Sequence, residues 1–129
     1  MLVADDDPLV LTNMAAMLDD LGHKVFEASS ARQALTILRR ESGIELVITD
    51  QAMPDMTGLQ LIKEIRKRWS DLPVILATGF AELPSGIDPL QITLAKPFFQ
   101  HDLARAVAIA MTAPDARPVL RFRVLGGET

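Results

Sequence analysis

No cysteine occurs in the chain, which excludes a disulfide framework, a thiolate nucleophile and any cysteine-based metal site. That absence fits a reducing cytoplasm, the expected location. No apolar stretch approaches the ~20 residues needed to cross a bilayer, and no signal peptide opens the chain, so membrane insertion by this chain is not expected. Basic stripes are missing too, and the net charge of −4 argues against nucleic acid as a partner. The one basic cluster, Arg66-Lys67-Arg68, reads as the solvated end of a helix. Aromatics are few at 5%. The 49% hydrophobic content is carried by Leu, Ile, Val, Ala and Met, as in an ordinary α/β protein. The 129 residues suffice for one domain with a real core and not for two, and no internal repeat divides them.

What is present is a set of short apolar runs, four of which end on polar residues. Leu2-Val3-Ala4 leads into Asp5-Asp6-Asp7, and Leu46-Val47-Ile48-Thr49 into Asp50. Val74-Ile75-Leu76-Ala77 leads into Thr78, and Ile92-Thr93-Leu94-Ala95 into Lys96-Pro97. In an open parallel α/β sheet, ligands bind beyond the carboxyl ends of the strands. If these runs are neighbouring strands, several carboxylates, a hydroxyl and an ammonium converge there. Carboxylates so close repel one another unless a hard divalent cation sits among them. The combination suits phosphoryl transfer to an aspartate.

Helical periods fill the spaces between the runs. Asp7-Pro8 reads as a cap with proline at the first helical position, followed by Val10, Leu11, Met14, Met17, Leu18 and Leu21, with Gly22 as the stop. Lys24 to Ala28 reads as a second strand. Ser29-Ser30 caps a helix carrying Ala34, Leu35 and Leu38 inward, and Gly43 ends it. Gly58 opens a helix with Leu59, Ile62, Ile65 and Trp69 on one face, and a last helix carries Leu103, Ala106, Val107 and Ala110. Five strands alternating with helices imply a mainly parallel sheet covered on both faces. One link is weak. Between Thr78 and Ile92 stand Pro84, Gly86 and Pro89, and proline inside a helix costs ~3 kcal/mol, so that element should be short, broken or mobile. After Ala113-Pro114 the run Leu120-Arg121-Phe122-Arg123-Val124 reads as an added strand, a linker remnant or a floppy tail.

These residues resemble the receiver domain of two-component response regulators over roughly positions 1 to 112. The motifs are Asp5-Asp6, Asp50-Gln51-Ala52-Met53-Pro54-Asp55-Met56-Thr57-Gly58, Thr78-Gly79 and Lys96-Pro97-Phe98, in that order and each at a strand end. The segments from Leu76 to Glu82 and from Leu94 to Val107 look most like receivers at the C-terminus of hybrid sensor histidine kinases. The resemblance implies a flavodoxin-like α/β fold, a five-stranded parallel sheet in the order 2-1-3-4-5 with helices on both faces. It also implies that Asp50 accepts a phosphoryl group from a phosphohistidine on a histidine kinase or histidine phosphotransfer protein. Asp6 and Asp50 would bind Mg²⁺ directly, Asp5 through water, and the Ala52 backbone carbonyl would be a further ligand. Lys96 would neutralise phosphoryl oxygens, with a cis peptide before Pro97, and Thr78 would hydrogen-bond the phosphoryl group once present.

Other residues have plainer readings. Asp7 is a helix cap, Asp55 a solvated turn residue, His23 and His101 lack a kinase helix motif, and the methionines fill the core. Many receivers carry an aromatic where this chain has Thr93, so the segment from Phe80 to Leu90 is the expected moving element. Neither Ala52 nor Phe80 suits orienting an attacking water, which predicts slow self-dephosphorylation. Two other classes share parts of this pattern. A pseudo-receiver would bind partners without being phosphorylated. An aspartyl-phosphate phosphatase needs a second aspartate where Ala52 stands, so the chain is not expected to be an enzyme. The expected organisation is a receiver at 1–112 and a tail or linker remnant at 113–129, acting as a monomer or weak dimer and cut from a longer hybrid kinase. Partner contacts are expected on the first helix near Leu9 and Met14 and around the loops at the strand ends.

Overall fold

The computed structural model describes residues 1–79 and 87–112. Among the described residues nine elements follow in order: β1 (Leu2–Ala4), α1 (Pro8–Asp20), β2 (Phe26–Ala28), α2 (Ala31–Arg40), β3 (Val47–Asp50), α3 (Gly58–Arg68), β4 (Val74–Thr78), β5 (Ile92–Ala95) and α4 (Gln100–Met111). All strand pairs are parallel and the order is β2-β1-β3-β4-β5, the flavodoxin-like arrangement expected. Among the described residues no helix is long and apolar enough to cross a membrane.

Alternation along the strands builds two cores. Val3, Ile48, Ile75, Ala77 and Leu94 point to one face, against Leu11, Met14 and Leu18 of α1 and Leu103 and Val107 of α4. Leu2, Ala4, Val47, Val74 and Leu76 point to the other, against Ala34 and Ile37 of α2 and Leu61 and Ile65 of α3. A strand covered on both faces must be apolar throughout, which is why β1, β3 and β4 read as unbroken runs. The helix starts follow local chemistry. Asp7 accepts the Leu9 and Val10 amides with Pro8 behind it, Ser30 caps α2, and Thr57 with Gln60 forms a reciprocal capping box at α3.

Several details differ from the sequence reading. β2 is shorter, starting at Phe26 rather than Lys24, because only Phe26 to Ala28 find partners on β1. In α2, Ile37 is buried in place of the half-buried Leu35, and in α3 Leu61 takes the place given to Leu59. Met14 is wholly buried between α1 and the sheet, so it cannot contact a partner; Leu9, 68% exposed, can. Of the segment between β4 and β5, Ile87 to Leu90 are not helical, and Asp88 accepts the Leu90 amide at 2.9 Å. Residues 80–86 of that segment and the expected tail from 113 to 129 lie outside the described residues.

Candidate functional site

Parallel pairing puts the ends of β1, β3, β4 and β5 at one edge of the sheet. Asp50 is the last residue of β3 and lies opposite Ala77, one residue before Thr78 on β4. Thr78 in turn lies opposite Ala95, and the Lys96 amide donates to the Thr78 carbonyl at 3.0 Å. Asp5 follows β1 directly, its amide bonded to the Ala28 carbonyl at 3.1 Å. Residues more than ninety positions apart in the chain thus become neighbours.

The side chains meet as well. The Lys96 ammonium donates to Asp50 Oδ1 at 2.5 Å and to Asp5 Oδ2 at 3.3 Å. Asp5 and Asp50 are 1% and 3% exposed, so these bonds run through a site with little water. Burial by itself disfavours the Lys96 charge, but the hydrogen bond and charge of Asp50 together with Asp5 prevail and hold the ammonium above the ordinary lysine range. Asp5 Oδ1 also accepts the Asp7 amide at 2.9 Å, which fixes the turn that carries the exposed Asp6. Oxygens of Asp5, Asp6 and Asp50 all lie within 4.8 Å of one another. Three carboxylates, two of them bonded to the Lys96 ammonium, make an all-oxygen donor set of the kind a hard divalent cation fits.

Thr78 is buried, its hydroxyl donating to the Gly79 carbonyl at 3.2 Å. Ala52 lies exposed on the loop between β3 and α3. The peptide between Lys96 and Pro97 is cis.

Two supporting residues were missed by the sequence reading. Gln51 is nearly buried; its side-chain Oε1 accepts the Leu59 amide at 2.9 Å and its carbonyl accepts the Gly58 amide at 3.0 Å, joining the strand end to the start of α3. Asp55, read as a solvated turn residue, accepts two amides of α2. Gly58 has a role beyond opening its helix. A Cβ there would overlap the Asp50 carbonyl oxygen and crowd Leu76 Cδ1 at 2.7 Å, so only glycine lets α3 approach so closely.

Known proteins resemble this chain over most of its length. The family model described as the response regulator receiver domain matches residues 1–108. The transcriptional regulatory protein GlrR of Escherichia coli (strain K12) is 34% identical over 120 residues, 88% of this chain and 27% of that protein. Sensor kinase CckA of Brucella abortus (strain 2308) is 35% identical over 114 residues, 83% of this chain and 12% of that protein. The chain therefore spans about a quarter of one relative and about an eighth of the other. A crystal structure of a response regulator receiver domain protein from Clostridium thermocellum superposes with a TM-score of 0.80 at 31% identity, covering 92% of this chain and 96% of that one.

Proposed function

The chain belongs to the response regulator receiver domain family of two-component signalling, and on that premise we propose that Asp50 accepts a phosphoryl group from a phosphohistidine on a histidine kinase or histidine phosphotransfer protein. The observation that carries this reading is Asp50 itself, a buried carboxylate at the end of a central strand, hydrogen-bonded to a lysine and beside two further aspartates. A carboxylate is already ionised at pH 7 and needs no general base. One Asp50 oxygen attacks phosphorus, the P–O bond forms as the P–N bond breaks, and the electron pair returns to the donor imidazole.

Each neighbour has a part in that transfer. Asp5, Asp6 and Asp50, with the Ala52 carbonyl, are the residues to hold Mg²⁺. When bound there, the ion supplies charge neutralisation to the phosphoryl oxygens. Lys96, already on Asp50, is placed to stay with the incoming negative charge from the opposite side. The Thr78 hydroxyl gives up its bond to the Gly79 carbonyl and turns to a phosphoryl oxygen, which converts the modification into a local rearrangement. Leu9, exposed at the start of α1 just past the acidic turn, marks the face that a phosphohistidine-bearing partner would meet.

Intact mass after incubation with Mg²⁺ and a small phosphodonor, beside an Asp50→Asn variant, tests the reading. One added phosphate in the parent alone is expected. No gain in either protein would sink it and leave a binding module that is not phosphorylated; a gain in both would mean Asp50 is not the sole acceptor.

A further inference from the structure

Asp55 belongs to the loop between β3 and α3, yet its carboxylate engages a different helix. Its Oδ2 accepts the Arg32 amide at 3.0 Å and its Oδ1 accepts the Ala31 amide at 3.3 Å. These are the first two amides of α2, which have no partner within the helix, and the positive end of the helix favours a carboxylate. The helix has a cap of its own, because Ser30 accepts the Gln33 amide at 3.1 Å. What the Asp55 bonds add is a tie between the loop and α2.

The rest of the loop is fixed in the same manner. At its start the Gln51 amide donates to the Ala77 carbonyl at 3.0 Å, Met53 is buried in the core between the sheet and α2 and α3, and Thr57 caps α3 at its end. Ala52 falls between these anchors, and its side chain is a solvent-facing methyl. The position of its carbonyl is therefore set by the residues on either side.

We propose that Asp55 is a positioning residue for the divalent-cation site: by holding the loop against the start of α2, it keeps the Ala52 carbonyl in place for the metal before the metal arrives. The inference rests on the reading of Asp50 and its neighbours given above. Slight burial would raise the Asp55 carboxyl, but backbone amides prevail, those of Arg32 and Ala31 first and then its own and that of Met56, and hold it below the usual carboxylate range, so it stays a charged acceptor through neutral pH. A ligand oriented by outer partners binds more tightly than one that must be ordered on binding.

The test is Mg²⁺ affinity by calorimetry on the full chain, for the parent, Asp55→Ala, Asp55→Asn and Ser30→Ala. Asp55→Ala is expected to bind roughly tenfold more weakly. Asp55→Asn, which keeps one acceptor oxygen, should fall between it and the parent. Ser30→Ala, which removes a bond from the same helix start without touching the loop, should bind like the parent. By linkage, Mg²⁺ should slow hydrogen exchange at the Ala31 and Arg32 amides of the parent. Equal affinities in the parent and Asp55→Ala, or equal losses in Ser30→Ala and Asp55→Ala, would overturn the positioning role and leave the phosphoacceptor reading standing. An absence of saturable Mg²⁺ binding in the parent would overturn both.

Discussion

The Lys96 ammonium reaches carboxylates that come from two different strands, so its protonation is linked to folding. Its pKa in the folded chain lies above the ordinary lysine value of 10.5, so the folded state holds the proton more tightly than the unfolded one. The stabilisation is then complete below that pH and is lost as pH rises through the folded value. Replacing Lys96 by Met should cost about 2 kcal/mol at neutral pH, because two buried carboxylates each lose a charged hydrogen-bond donor. Urea melts should show the parent converging on Lys96→Met at alkaline pH; parallel curves throughout would refute the linkage. At Ala52 the proposal concerns lifetime. A methyl group cannot orient a water behind phosphorus, so Ala52→Asn should hasten loss of the phosphoryl group, read as the decay of the phosphorylated mass after the donor is removed. An unchanged decay would dismiss the idea.

Elements carry the next consequences. Gly58 lets α3 begin against the backbone of Asp50, so Gly58→Ala must push either the helix or the strand end away. A loss of about 1–3 kcal/mol in urea unfolding is expected from the overpacking, accompanied by slower phosphorylation, since the displaced atom belongs to the acceptor residue. How much of this was legible in one dimension follows from the distances involved. Strand-end residues such as Asp50, Thr78 and Lys96 announce themselves because apolar runs end on them, and parallel pairing then aligns those ends without further information. The helix starts at Asp7 and Ser30 are legible because their partners lie within three residues. Asp55 was not, because its amides lie 23 and 24 residues away on another helix and nothing local marks the pair. Met14, read as core filler on the apolar stripe of its helix, is indeed buried, and only the partner contact expected near it fails.

For the whole molecule, cation binding and stability are one equilibrium. A ligand that binds only the folded chain stabilises it by about 2.7 kcal/mol at a hundredfold excess over its dissociation constant, a rise in Tm on the order of 10 °C for a domain of this size. Mg²⁺ should produce such a rise in the parent and little of it in Asp50→Asn, measured by thermal melts at fixed ionic strength. A rise of equal size in both would show that the ion acts elsewhere. The strand order adds a consequence for the chain as it is made. Every residue of β4 is buried, and one of its two neighbours is β5, which emerges later from the ribosome than the rest of the sheet. Until residues 92–95 are available, β4 is an open edge of five consecutive buried-type residues, the kind of strand that pairs with other chains. A transcript truncated between β4 and β5 would therefore yield a sticky, aggregating fragment that also lacks its lysine, rather than a weaker version of the same switch.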